Sequence, residues 1–165
     1  MRLLPLLLLL FTPPLAAWEF QPYAGGEAPP FTLEDLDGRE HTLAQYRGKV
    51  LVVNFWATWC PPCVAEMPSL DRLQQALAGT PFQVLALNAG DEPFDVAMFL
   101  RRVPVEVPIL LDENLVVQAA WGVKLLPTTL VVDPGGRIVY RETGEREWDH
   151  PQAVAALRAL LPGGG

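Results

Sequence analysis

Cys60 and Cys63 are the only cysteines in this 165-residue chain, and two prolines separate them. Thiols at this spacing can close into a small disulfide ring and open again, which is the chemistry of electron exchange between disulfides. A bridge across so short a loop restricts little unfolded-chain entropy, so a structural staple explains the pair poorly. Zinc usually takes four ligands, and the chain adds only His41 and His150, neither at ligand spacing to the cysteines. The sequence therefore predicts a redox couple with no metal and no other cofactor.

The elements that must position this pair follow from patterning. Residues 50–56, VLVVNFW, read as a buried strand, and residues 61–78 as a helix with apolar positions at Val64, Met67, Leu70, Leu73, Ala76 and Leu77. Cys60 thus falls where strand gives way to helix, at the end where unpaired amides and the helix dipole favour a thiolate. A free cysteine titrates near about 8.5, and motifs of this kind reach roughly 3.5 to 7.5. Pro61 and Pro62 occupy the first turn, where missing amide protons cost little, while Pro68 predicts a kink.

Further along, residues 82–87 read as a second buried strand, which completes a right-handed strand–helix–strand crossover. Residues 94–102 predict a helix, 107–111 a strand and 115–121 a short helix. Two hairpins are expected, one around Asp37-Gly38 with Leu43 closing its second strand, the other around residues 133–136. An amphipathic helix over residues 151–161 closes the chain. The fold class is α/β, a central mixed sheet flanked by helices with an N-terminal β-hairpin extension.

Composition sets outer limits. Half of the residues are hydrophobic and 19% are charged, which suits one globular domain. The net charge of −7 argues against nucleic acid as a partner. Residues 1–17 carry Arg2, an apolar run from Leu3 to Phe11 broken by Pro5, and a Leu15-Ala16-Ala17 end, the pattern of a cleavable signal peptide. An uncleaved anchor is the alternative. Residues 18–30 then form an irregular lead-in, 31–161 the folded domain and 162–165 a flexible tail, with the protein exported to a bacterial periplasm.

The run from Val53 to Cys63, with Leu126-Pro127-Thr128-Thr129 downstream, resembles the thioredoxin superfamily, and within it the exported thiol–disulfide oxidoreductases of the TlpA/ResA type. The resemblance implies a thioredoxin fold, Cys60 as nucleophile and Cys63 as the resolving thiol. It implies a cis bond before Pro127, with the backbone of Leu126 open to an extended client, against an ordinary strand-entry proline. It also gives Glu66, one turn past Cys63, a proton-exchange role; the alternative is an exposed acid on the helix.

Asn54 stands where cytoplasmic thioredoxin has a buried aspartate, and it cannot exchange a proton. Trp56 and Trp59 are docking or core residues with equal claim, and Trp121 is expected to pack. The implied activity is a monomeric reductase of client disulfides, such as apocytochrome c or copper-site cysteines, kept reduced by a membrane thiol donor. The nearest rival is a disulfide-donating oxidase, but residues 88–127 are too short for its inserted helical domain. A peroxidase is disfavoured because Ala57 takes the place of the threonine. A non-catalytic copper-binding protein would want methionine or histidine clusters, whereas Met67 and Met98 both look like packing residues.

Overall fold

The computed structural model describes residues 18–163. Residues 1–17, for which the sequence predicts a signal peptide, and the last two residues of the expected tail lie outside the described residues. Among those described, no helix is long and apolar enough to cross a membrane.

The strands are β1 (Thr32–Asp35), β2 (Glu40–Thr42), β3 (Val50–Trp56), β4 (Phe82–Ala89), β5 (Ile109–Asp112), β6 (Thr128–Val132) and β7 (Ile138–Thr143). The helices are α1 (Pro61–Ala76), α2 (Pro93–Leu100), α3 (Val116–Ala120) and α4 (Pro151–Ala159). They build one sheet in the order β2-β1-β5-β4-β3-β6-β7. β3, β4 and β5 run parallel, whereas β6 pairs antiparallel with β3, and β1 joins the sheet antiparallel to β5. This is the expected mixed α/β sheet, and the N-terminal hairpin is part of it.

The period of two along β3 divides the core. Val50, Val52 and Trp56 pack with Met67, Leu70 and Leu73 of α1 and with Leu157 of α4. Leu51, Val53 and Phe55 face the other way, toward Val117, Trp121 and Tyr46. Every β3 residue is buried, as a strand covered on both faces requires. Asn54 falls on the α1 side of this alternation.

Several boundaries depart from the sequence reading. Leu43 does not close a strand; it opens a 3₁₀ turn over Leu43–Tyr46, where the Gln45 side chain accepts from Thr42 N–H. α1 continues through Pro68 and stops at Ala76, ahead of Gly79, whose φ of 78° suits a residue without Cβ. Val107 lies before β5, where it and Glu106 donate backbone N–H groups to Asp71 of α1. β7 runs three residues beyond Tyr140.

The lead-in is less irregular than its proline and glycine content predicts. Pro22 and Glu27 form bridges with Tyr140 and Arg137, so the segment follows the outer edge of β7. Phe20 is buried, stacked 4.6 Å from Tyr140 and tilted against Trp148 at 6.2 Å. The segment therefore covers a sheet edge that would otherwise be open. Replacing Phe20 with Ala is expected to destabilise the protein by about 3 kcal/mol, read from the urea midpoint.

Candidate active site

β3 delivers the chain to the end of the sheet at Trp56, and a short turn leads into α1. Cys60 is the N-cap of that helix in an extended conformation, and its N–H donates to Ala57 O at 3.2 Å. Thr58 N–H donates to Asp91 at 2.7 Å, and Asn88 holds the same carboxylate oxygen at 2.8 Å. Asp91 thus ties the turn before Cys60 to the end of β4. A disulfide joins Cys60 and Cys63, with Cα atoms 5.3 Å apart. Cys60 keeps 4% of its surface and Cys63 none, so Cys63 is the more shielded thiol, but Cys60 is less open than its position suggests.

Leu126-Pro127 is a cis peptide bond. The β3–β6 register pairs Phe55 with Thr128, so Pro127 falls opposite the Trp56 end of β3, on the rim from which the disulfide turn departs. Gly144 N–H donates to Pro127 O at 2.9 Å, and the Thr128 hydroxyl donates to Leu125 O at 2.7 Å. Leu126 is half-buried. Trp59 is 69% exposed, whereas Trp56 is fully buried against Phe99, so of the two only Trp59 faces solvent. Trp121 packs, its indole donating to Pro29 O. Met67 is buried as expected, but Met98 is exposed on α2 and is not a packing residue.

Glu66 is no exposed acid. It shares the inner face of α1 with Cys63, Met67 and Leu70 and keeps 1% of its surface. Asn54 Nδ2 donates to its Oε1 at 2.6 Å; the Arg146 backbone N–H and the Trp148 indole donate to Oε2 at 3.0 and 3.1 Å. Burial pushes the carboxyl up to about 7. The three donors pull the other way, and nearby Glu145 adds a smaller upward push.

Trp148 and Arg146 were not foreseen from the sequence. They lie about eighty residues from Glu66, in a charged loop between β7 and α4, and only a tryptophan set among acidic residues hints at them. That loop is pinned to α1 by Trp148 N–H on Ser69 and by Arg72 on Asp149. The histidines are occupied elsewhere: His41 bridges Asp35 and Tyr46, and the His150 side chain accepts from Gln152 N–H at the start of α4.

A family model described as Redoxin matches residues 23–157. The chain belongs to the Redoxin family. This family member is 42% identical over 120 residues to the thiol-disulfide oxidoreductase ResA of Geobacillus thermodenitrificans, covering 73% of the chain and 69% of that relative. It is 35% identical over 120 residues to the protein of the same name from Bacillus subtilis, covering 73% and 67%. A crystal structure of a thiol:disulfide interchange protein of the thioredoxin family from Chlorobium tepidum superposes with a TM-score of 0.70 at 26% identity, covering 84% of this chain and 98% of that one. The fold is that of thioredoxin, and the Redoxin protein is a thiol–disulfide oxidoreductase.

The Glu66 carboxyl binds its proton more tightly folded than unfolded. Its contribution to stability is therefore fully present below about pH 4.5 and is lost as pH rises through about 7. Glu66→Gln removes this dependence. Urea unfolding at pH 5 and pH 8 should show wild type losing about 3 kcal/mol more than the variant over that interval.

Proposed function

We propose that this protein reduces disulfides of client proteins in the periplasm, with Cys60 as nucleophile, Cys63 as resolving thiol and Glu66 as the proton acceptor. The observation that carries the reading is the succession along α1 of Cys60, the fully shielded Cys63 and a buried carboxyl with a raised pKa. A residue that must accept and release a proton near neutral pH works best with a pKa near that pH.

The Cys60 thiolate attacks a client disulfide, one client sulfur leaves as thiolate, and a mixed disulfide forms. Cys63 gives its proton to Glu66 and attacks Cys60. The Cys60–Cys63 bond forms, and the second client sulfur departs with the electron pair. The client lies along the Leu126 backbone beside Pro127 and meets the exposed ring of Trp59. Pro61 and Pro62 shape the helix start, and Asn54 supports Glu66 from β3.

The apolar leader of residues 1–17 supports export, and an uncleaved leader would instead hold the domain at the membrane. Return to the dithiol form requires a reductant, which in an oxidising compartment is a thiol donor in the membrane. Cysteines of apocytochrome c or of copper sites are the proposed clients. Two helices of eight and five residues lie between β4 and β6, against the inserted domain of a disulfide-donating oxidase.

Equilibration of the couple with a dithiol buffer at pH 7 is expected to give a potential near about −270 mV, and a value near about −120 mV would make the protein an oxidase. In single-turnover reduction of a disulfide peptide, Cys63→Ser should stop at the mixed disulfide. Glu66→Gln should form it normally and resolve it about 100-fold more slowly at pH 7.

A further inference from the structure

Among the described residues, each hydrogen-bond partner of the Glu66 carboxyl is a donor. Asn54 Nδ2 donates to Oε1, and Arg146 N–H and Trp148 Nε1–H donate to Oε2. Such a cage suits a carboxylate. A protonated carboxyl adds an O–H that needs an acceptor, and neither a backbone N–H nor an indole N–H can become one. A primary amide can, by turning its oxygen to the place of its nitrogen.

Asn54 meets the other requirements for such a turn. It is fully buried, and its Oδ1 has no hydrogen-bond partner among the described residues, while Nδ2 serves both Glu66 and the Thr129 hydroxyl, the latter at 2.9 Å. A hydroxyl donates or accepts equally well, so Thr129 fits either orientation. In both arrangements one end of the amide is bonded twice and the other is free. The two states are chemically balanced, and the charge on Glu66 decides between them.

We propose that Asn54 is a positioning residue for the proton of Glu66: its amide donates to the carboxylate, turns over when the carboxyl is protonated, and holds that proton at Oε1. The charged groups around Glu66 leave this assignment intact. Arg146 on the β7–α4 loop is paired with Glu142 of β7 at 3.3 Å, and Glu145 of the same loop acts on Glu66 only through its charge. On α1 the titratable neighbours are Cys60 and Cys63, closed in the disulfide; Asn54 of β3 and Thr129 of β6 are neutral. In the proposed reaction the proton leaving Cys63 comes to rest at Oε1 as the amide turns. That consequence rests on the proposed role of Glu66, whereas the turn itself does not.

The test is NMR of the oxidised protein labelled with ¹⁵N and ¹³C, from about pH 5 to about pH 9, a range centred on the titration of Glu66. The Asn54 side-chain amide is expected to shift with the same midpoint as the Glu66 carboxyl carbon. Its amide protons should lose their contact with the Thr129 methyl on the acid side. The Trp148 indole proton, bonded to Oε2, should move less.

In Glu66→Gln the Asn54 amide should keep its acid-side signature at every pH, because the glutamine amide then donates to Oδ1. An Asn54 amide that stays still while Glu66 titrates, a Trp148 indole that follows in its place, or a Glu66 that does not titrate in this range overturns the proposal. If the variant fails to fold, the comparison of Asn54 with Trp148 in wild type decides alone. An amide that turns in a protein unable to reduce disulfides would sink the functional reading and leave this one standing.

Discussion

The hydrogen bond between Asn54 of β3 and Glu66 of α1 joins sheet and helix beneath the disulfide, and much of the molecule is arranged around it. A carboxyl with 1% of its surface exposed has lost nearly all of its water, so protein donors must replace that solvation or the group must hold a proton. Both happen here in part. Three donors surround Glu66, yet burial outweighs them and raises its pKa to about 7. Removing any one donor would upset a balance that decides the charge of the group.

That requirement accounts for how residues 18–21 and the β7–α4 loop are packed. The donors on Oε2 come from the β7–α4 loop, and the lead-in fixes that loop in turn. The Arg146 guanidinium lies 4.5 Å from the Trp18 ring centroid and donates to Glu19 O at 2.6 Å, while Glu142 accepts from Gln21 N–H at 2.6 Å. Residues 18–21 are thus linked to the carboxyl through Arg146 and through Trp148, whose ring lies 6.0 Å from Trp18 and 6.2 Å from Phe20. A segment with the composition of a linker acts as the outer support of a buried charge.

Much of this was legible in the sequence, for identifiable reasons. The β3 run and the cysteine pair are adjacent in the chain, so local pattern alone places the disulfide at the start of α1. The i, i+3 spacing of Cys63 and Glu66 puts both on one helix face, and that also needs no tertiary knowledge. Burial of Glu66 and the partners that raise or lower its pKa were not legible, because Arg146 and Trp148 reach it across about eighty residues of sequence. The pairing of the lead-in with β7 was hidden by its prolines and glycines, which predict irregularity and are tolerated at an outer edge. Met98 misled in the opposite direction, an apolar side chain in a helical pattern that faces solvent.

The start of α1 gives the buried carboxyl a larger share of control than the helix dipole alone would leave it. A helix N-terminus stabilises a thiolate through free amides, yet Pro61 and Pro62 have none, and those of Thr58 and Cys60 are bonded to Asp91 and Ala57. The first amide hydrogen of α1 belongs to Cys63. With fewer donors there, the Cys60 thiolate of the proposed mechanism would be held by the dipole with little direct hydrogen bonding. In the proposed mechanism, the exchange of a proton between Cys63 and Glu66, one turn deeper, is then the point at which the protein's own residues act most strongly on the couple.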